Sequence, residues 1–522
     1  MKRFIIAIIF LMGSCSYRVE KDPNILVQNF NADPGTLNPV LVSDAYGAEI
    51  TGYIYEPLIE LDNETLAYKP LLAERWTVSD NHLQFTFYLR KDVKWHDGVL
   101  FTAEDVIYTY EQIQNPKVDA ATRRVSFQDV EKVEKLDDYT VRFTYKRPYF
   151  RGFLVCGGIQ VIPKHIFDNG ADFNEHPANR KPVGTGPFIF KEWKTKRKVV
   201  LEKNPNYWKT PPGIDGIVFR IIEDPTVSFQ ELKKGELDFA EVRAIKWERG
   251  SKSKAFEKRF NKAEYYLPNF SYIAWNLKKP YFQDKRVRHA LSMLINKEAI
   301  LKKILFGHAV IVEGDEYYFG DTYDRSVKPD PYDPIKAAKL LDEAGWIDTD
   351  GDSIRDKKGV PFKFDFYYVS TSVFATQLAT MLREDLLKNG IRVELRGLEF
   401  NAIGRVIDDR IFDAITLAWS VPLTNDPYQL WHSTQVTEGS NLTGFANAEA
   451  DKIIEEIRVE FDDNSRNVLY KKLQKILHDE QPYTFLFSGA TLAVYSKRFT
   501  NVKLYKIGLD IREWGINTAF TY

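Results

Sequence analysis

From Leu83 to Arg90 apolar and polar side chains alternate, with Leu83, Phe85, Phe87 and Leu89 set against Gln84, Thr86, Tyr88 and Arg90. This is the period of a half-buried strand. Asp97-Gly98 then predicts a turn, and Thr102 a helix start: its side chain can cap, Glu104 and Asp105 meet the positive end of the helix dipole, and Val106, Tyr110 and Ile113 continue an apolar face. The same two periods sort the rest of the chain. Strands are predicted over Ile25–Phe30, Tyr139–Tyr145, Ile217–Ile222, Tyr272–Asn276, Phe362–Tyr368, Ile391–Leu395 and Ala414–Trp419, and near the end over Tyr483–Phe487, Leu492–Tyr495 and Val502–Tyr505. Helices are predicted from Tyr46 towards Leu58, ending before Pro57, from Val227, over Val287–Ile295 behind the cap candidate Asp284, over Ala337–Trp346 with Gly345 as C-terminal cap, and over Leu378–Leu387 ending near Gly390. Strand, helix and strand succeed one another at Ile217–Phe239 and at Phe362–Leu395, which predicts parallel units in an α/β protein.

Length and composition narrow this picture. A chain of 522 residues exceeds one simple core and calls for two or three domains. Its 72 basic and 73 acidic residues leave no basic field for nucleic acid. The 10 Trp, 28 Tyr and 35 Phe serve large cores and can also line a pocket for an organic ligand. At the start, Lys2 and Arg3 precede the apolar run Phe4–Met12 and the small residues Gly13 and Ser14, which reads as a secretory signal too short to span a bilayer as a finished helix. Cys15 follows, so Cys156 has no intrachain partner once Cys15 is acylated and is read as a small buried hydrophobe.

Several of these segments together resemble the family 5 extracellular solute-binding proteins, the dipeptide, oligopeptide and nickel receptors of ABC importers. The resemblance rests on Leu89-Arg90, Trp95-His96-Asp97-Gly98 and Thr102-Ala103-Glu104-Asp105-Val106, on Thr36-Leu37-Asn38-Pro39, on Val183-Gly-Thr-Gly-Pro-Phe and Lys203-Asn-Pro-Asn-Tyr-Trp208, on Gly235-Glu-Leu-Asp238, and on Val287-Arg-His-Ala-Leu291. It implies a type II periplasmic-binding-protein fold, two lobes with a hinge and an inserted extra domain. The expected division is a signal peptide over 1–14, a lipidated linker over 15–22, lobe I from 23–57, 183–272 and 490–522, an inserted domain over 58–182, and lobe III over 273–489. The Cys15 region resembles a lipobox, implying cleavage before Cys15 and lipid attachment there, with soluble secretion as the alternative. The implied function is capture of a small peptide or other small solute between closing lobes, for delivery to an ABC permease, by a monomer anchored outside the cytoplasm at the periplasmic or cell-surface side of a membrane. A receptor for nickel or another metal chelate is the nearer alternative, and a secreted hydrolase the more distant one.

The ligand candidates follow from strand ends and from the resemblance. The loop Ser420–Pro427 leaves the carboxyl end of Ala414–Trp419, where ligands settle in α/β sheets. Peptide receptors of the family place an Asp soon after this Trp to hold the α-ammonium group; here Pro422 or Leu423 takes that position, leaving Asp426 or Asp33 as substitutes. Asn441-Leu-Thr-Gly-Phe445 resembles a cleft-facing family loop, which adds Gly444 and Phe445. Trp275, Asn276, Trp419 and Ser420 complete the expected ligand set. Asp348, Asp350, Asp352 and Asp356 alternate in a way that can wrap a hard cation such as calcium, although Ser353 and Gly359 replace the Gly and Glu of an EF-hand; a solvated turn is the competing reading. No zinc-protease helix motif, nucleophile elbow, phosphate-binding loop or cysteine cluster occurs, so no enzyme and no cofactor is expected.

Overall fold

The computed structural model describes residues 22–437 and 439–519; the signal segment and Cys15 lie outside the described residues. Three β-sheets organise the rest. The first has eight strands in the order Phe260–Tyr266, Phe487–Ser496, Phe239–Glu241, Ile25–Phe30, Gly216–Ile221, Lys198–Lys203 and Phe188–Lys194, with Ala309–Ile311 pairing the start of Phe487–Ser496. Ile25–Phe30 runs parallel to both Gly216–Ile221 and Phe239–Glu241, which the helix Pro225–Lys234 connects. Asp224 caps that helix and Gly235 ends it in the left-handed conformation, φ 86°. The predicted parallel unit is therefore present.

The second sheet has five strands, Arg392–Leu398, Lys363–Val369, Ala414–Ser420, Asn269–Trp275 and Tyr483–Phe485, of which the first three are parallel. Separate apolar clusters cover its two faces, one around Trp275, Phe364 and Leu382, the other around Tyr272, Ile415 and Tyr483. The third sheet, Ala73–Val78, Gln84–Leu89, Thr140–Tyr145 and Val130–Asp137, is antiparallel throughout. Its core is continuous with that of the first sheet: Phe85, Phe87 and Phe143 belong to the same buried cluster as Leu26, Phe30 and Ile217.

The polypeptide changes sheet at two places. Phe260–Tyr266 in the first sheet leads through Leu267-Pro268 into Asn269–Trp275 in the second, and Tyr483–Phe485 leads back through Leu486 into Phe487–Ser496. The two crossings are tied together. Leu486 donates its N–H to the carbonyl of Ser271 at 2.9 Å, and the Ser271 hydroxyl donates to the carbonyl of Phe487 at 3.1 Å. Leu492–Tyr495 proves to be the end of a ten-residue strand, whereas the predicted strand over 502–505 shrinks to Leu504–Tyr505, paired with Gly508–Leu509. The helix predicted from Tyr46 is Ala45–Ile54, capped by Asp44.

Chain ends and middle meet at a buried ion pair. Arg498 donates to both oxygens of Asp238, at 2.7 and 2.6 Å, and also to the carbonyls of Pro23 and Ile25, while Asp238 accepts the Val27 N–H at 2.9 Å. Both side chains are at most 3% exposed. Removing one partner strands the other in the interior, so Arg498→Met is expected to lower the unfolding free energy by about 3–5 kcal/mol, read from the denaturant midpoint at unchanged m-value; a shift of a few tenths would contradict this role.

Candidate ligand cleft

The carboxyl ends of the parallel strands in both sheets point toward the crossings, which is where open α/β sheets leave a crevice. On the second sheet, Ser420 pairs with Asn269 and Trp419 with Phe270, and Val421 donates its N–H to the carbonyl of Pro268 at 2.9 Å, so the loop Ser420–Pro427 is fastened to a crossing. Beside Trp419, the rings of Tyr272 and Tyr483 stack at 4.0 Å and 11°. The indole N–H of Trp419 and the hydroxyls of both tyrosines are buried and lie within reach of one another. Burial pushes both phenols up, so they stay neutral donors. Below the loop, Trp431 donates its indole N–H to Asp315 at 2.6 Å and Asn425 donates to Glu316 at 3.3 Å. Burial and the adjacent Asp315 push the Glu316 carboxyl up to about 8.

The inserted third-sheet body closes over this side. The Tyr149 hydroxyl donates to Asp426 Oδ2 at 2.9 Å, Arg458 Nε donates to the same oxygen at 3.1 Å, and the Phe150 N–H donates to the Arg458 carbonyl at 2.9 Å. The Phe150 ring is buried in the apolar cluster of the second sheet, and His82 stacks on Phe461 at 3.7 Å and 9°. First sheet, inserted body and second sheet thus form a ring, with the two crossings at one side and this contact at the other.

The first-sheet wall carries acidic groups. Glu49, on the helix Ala45–Ile54, accepts from the buried Gln28 amide at 2.7 Å. Glu241 ends the strand next to Ile25–Phe30. Both carboxylates reach solvent, yet the surrounding protein raises both, and repulsion from Glu241 adds to the rise of Glu49, to about 7.

The expected ligand residues separate into groups. Trp419, Ser420 and Asp426 share the loop, but Asp426 is committed to Tyr149 and Arg458, and its Oδ1 accepts the Tyr428 N–H. Asp33 accepts from the Trp193 indole and from the Lys196 N–H, which fastens its loop to a turn of the first sheet. Trp275 lies opposite Ala414 in the antiparallel register, six residues from the Asn269–Ser420 pair, hence about 20 Å from the loop at strand spacing. It is fully buried, donates to Thr484 and packs on Phe282 and Phe364. Asn276 secures the same far edge by donating to the Phe412 carbonyl at 2.8 Å. Gly444 supplies a left-handed turn, φ 77°, and Phe445 is a core residue against Trp431. Tyr272 and Tyr483, the neighbours of Trp419, are fully buried, and strand alternation places Tyr272 on the face opposite to Trp275. Of the four aspartates weighed for calcium, Asp348, Asp350 and Asp356 gather their oxygens within 4.8 Å, while Asp352 turns away to accept the Ile354 N–H.

The model of the bacterial extracellular solute-binding proteins, family 5 (middle region), matches residues 67–441. The chain belongs to this family. It is 32% identical over 472 residues to the oligopeptide-binding protein AppA of Bacillus subtilis, covering 88% of this chain and 86% of that one. The structure of AppA in complex with a nonapeptide superposes with a TM-score of 0.81 at 29% identity, over 95% of this chain and 99% of that one. NikZ of Campylobacter jejuni in complex with Ni(L-His) superposes with a TM-score of 0.81 at 26% identity, over 95% and 100%. This family 5 member is accordingly a binding protein with the type II periplasmic-binding fold, and not an enzyme.

The family signature is a packing device. Trp95 donates its indole N–H to Asp105, which also accepts the N–H groups of Thr102 and Lys164, completing a capping box with Thr102. His96 donates its N–H to the Gly184 carbonyl at 2.8 Å, which docks the Trp95–Gly98 turn on the Gly-Thr-Gly-Pro segment. A Cβ at Gly184 would lie 1.8 Å from the Ile54 carbonyl oxygen, so glycine is required there. Tyr207 and Trp208 of the downstream motif hold the buried Glu56 carboxylate at 2.6 and 2.9 Å.

Two measurements test this geometry. Asp426→Ala removes the acceptor shared by Tyr149 and Arg458, which should destabilise the protein by about 1–3 kcal/mol and speed amide exchange at Phe150; unchanged exchange there would show that the contact does not hold the two bodies. Glu49 is raised in the folded state, so its ionisation opposes folding: its destabilising effect is absent below the ordinary carboxylate range and complete above about pH 7. Relative to the wild type, Glu49→Gln should therefore gain melting temperature as pH rises from 5 to 8.

Proposed function

We propose that this family 5 protein is the substrate-binding lipoprotein of an ABC importer, capturing a peptide-like solute between its first-sheet and second-sheet lobes and delivering it to the membrane permease. The observation that carries the reading is the ring: two tied crossings on one side, the Tyr149–Asp426–Arg458 contact on the other, and the loop after Trp419 between them. Leu267-Pro268 and Leu486 are the hinge. Closing about it forms contacts from both lobes to the solute, so binding shifts the open and closed populations. Similarity to the AppA nonapeptide complex supports a peptide over a small ion.

Each of the eight histidines is engaged by protein: His82 with Phe461, His96 with Gly184 and Gly186, His165 with Asp97, His176 with Asn169, His289 with Asp330, His308 with Glu248 and Glu264, His432 with Thr434, and His478 with Glu313. His82 is held by its ring face alone, and His432 Nε2 is buried without a hydrogen-bond partner among the described residues. Lipid attachment to Cys15 holds the domain at the membrane surface, since several acyl chains suffice where one does not.

Mass spectrometry of the small molecules released on denaturing the purified protein decides the solute class. Peptides support the reading; a nickel complex, or a sugar with no peptide, overturns it. For the anchor, wild-type protein expressed in its envelope should partition into the detergent phase and Cys15→Ser into the aqueous phase, and equal partitioning would refute lipidation.

A further inference from the structure

The first-sheet wall of the cleft collects acceptors without matching donors. Gln28 is the register partner of Phe239 in a parallel pair, and alternation puts Phe239 and Glu241 on the face from which Gln28 projects. The helix carrying Glu49 packs on that face through Ile50 and Ile54. Gln28 is 1% exposed; its Nε2 donates to Glu49, which leaves its Oε1 beside the same carboxylate with no hydrogen-bond partner among the described residues. Neither Glu49 nor Glu241 forms an ion pair among the described residues. Arg243, the basic residue nearest to Glu241 along the chain, precedes the helix Ala244–Gly250, and its charge registers at Asp224 instead of at either glutamate. A desolvated amide oxygen and two unpaired carboxylates in one place call for a partner with several N–H donors and a positive charge.

We propose that Glu49, Glu241 and the amide oxygen of Gln28 form a cation subsite that receives an ammonium or guanidinium group of a bound peptide, from its amino terminus or from a Lys or Arg side chain. The proposal rests on the peptide-receptor reading above. An ammonium supplies three donors and a guanidinium five, enough to satisfy Oε1 and both carboxylates with charge-assisted hydrogen bonds. The cation also offsets the repulsion that Glu241 exerts on Glu49, beyond what the single Gln28 N–H supplies. Placing this site on the first lobe accounts for a Trp419 loop with Pro422 and Leu423 where a carboxylate would stand and with Asp426 turned to Tyr149 and Arg458. A peptide whose cationic end is held by the first lobe and whose body lies against the loop after Trp419 bridges both lobes.

The test is capture from an equimolar library of synthetic hexapeptides, half of them N-acetylated, with bound peptides identified by mass spectrometry. Wild type, Glu49→Gln, Glu241→Gln and the double variant are compared, each checked for an unchanged fold by its melting curve. Wild type should enrich peptides bearing a cation about tenfold or more over acetylated neutral ones, the scale of a hydrogen bond to a charged group, and the double variant should bring that ratio to parity. Enrichment of acetylated Lys and Arg peptides identifies a side-chain cation; enrichment of free amino termini alone identifies the terminus. Capture without charge preference, or a preference that survives in the double variant, overturns the subsite and leaves the peptide-receptor reading standing. Capture of no peptide in any arm overturns both.

Discussion

The double passage of the backbone between two sheets governs the rest of this structure. At Leu267-Pro268 and at Leu486 the chain leaves one hydrogen-bonded ladder and enters another, and Ser271 ties the two passages side by side. Two parallel straps of this kind permit rotation of one lobe against the other while resisting separation. The same geometry aims the carboxyl ends of strands in both lobes at the passage, so any solute held by one lobe faces the other.

Several buried polar groups far from that constraint have full sets of partners. Away from the cleft they are satisfied: Asp105 takes three donors, Glu56 takes Tyr207 and Trp208, and Arg498 and Asp238 join the ends of the chain to its middle. Buried polar atoms in native proteins are expected to be paired in this way. Beside Glu49, the buried Gln28 amide oxygen has no hydrogen-bond partner among the described residues. Such atoms are costly unless something else completes them.

The segments that were most legible are those with local physics. The alternation of Leu83–Arg90, the cap at Thr102 and the Gly235 turn depend on neighbours a few residues away, and all three appear in the structure. Trp275 illustrates the opposite case. It stands at a strand end next to an amide, as a ligand residue might, yet the antiparallel register with Ala414–Ser420 sends it to the far edge of the sheet and the wrong face. Asp426 follows Trp419 by seven residues in the sequence; that it is held by Tyr149, 277 positions earlier, is a matter of how the inserted body folds back.

The sequence by itself determined the α/β class, the elements with strong periodicity, the family, and the loop after Trp419 as a place of interest, because each of these is written in spacing that a few turns of chain can enforce. The tertiary structure alone decided which polar groups remain unpaired. Glu49 and Glu241 are 192 residues apart, and Tyr272 and Tyr483 are 211 apart; their meeting depends on parallel register and on the two crossings, which no local pattern encodes.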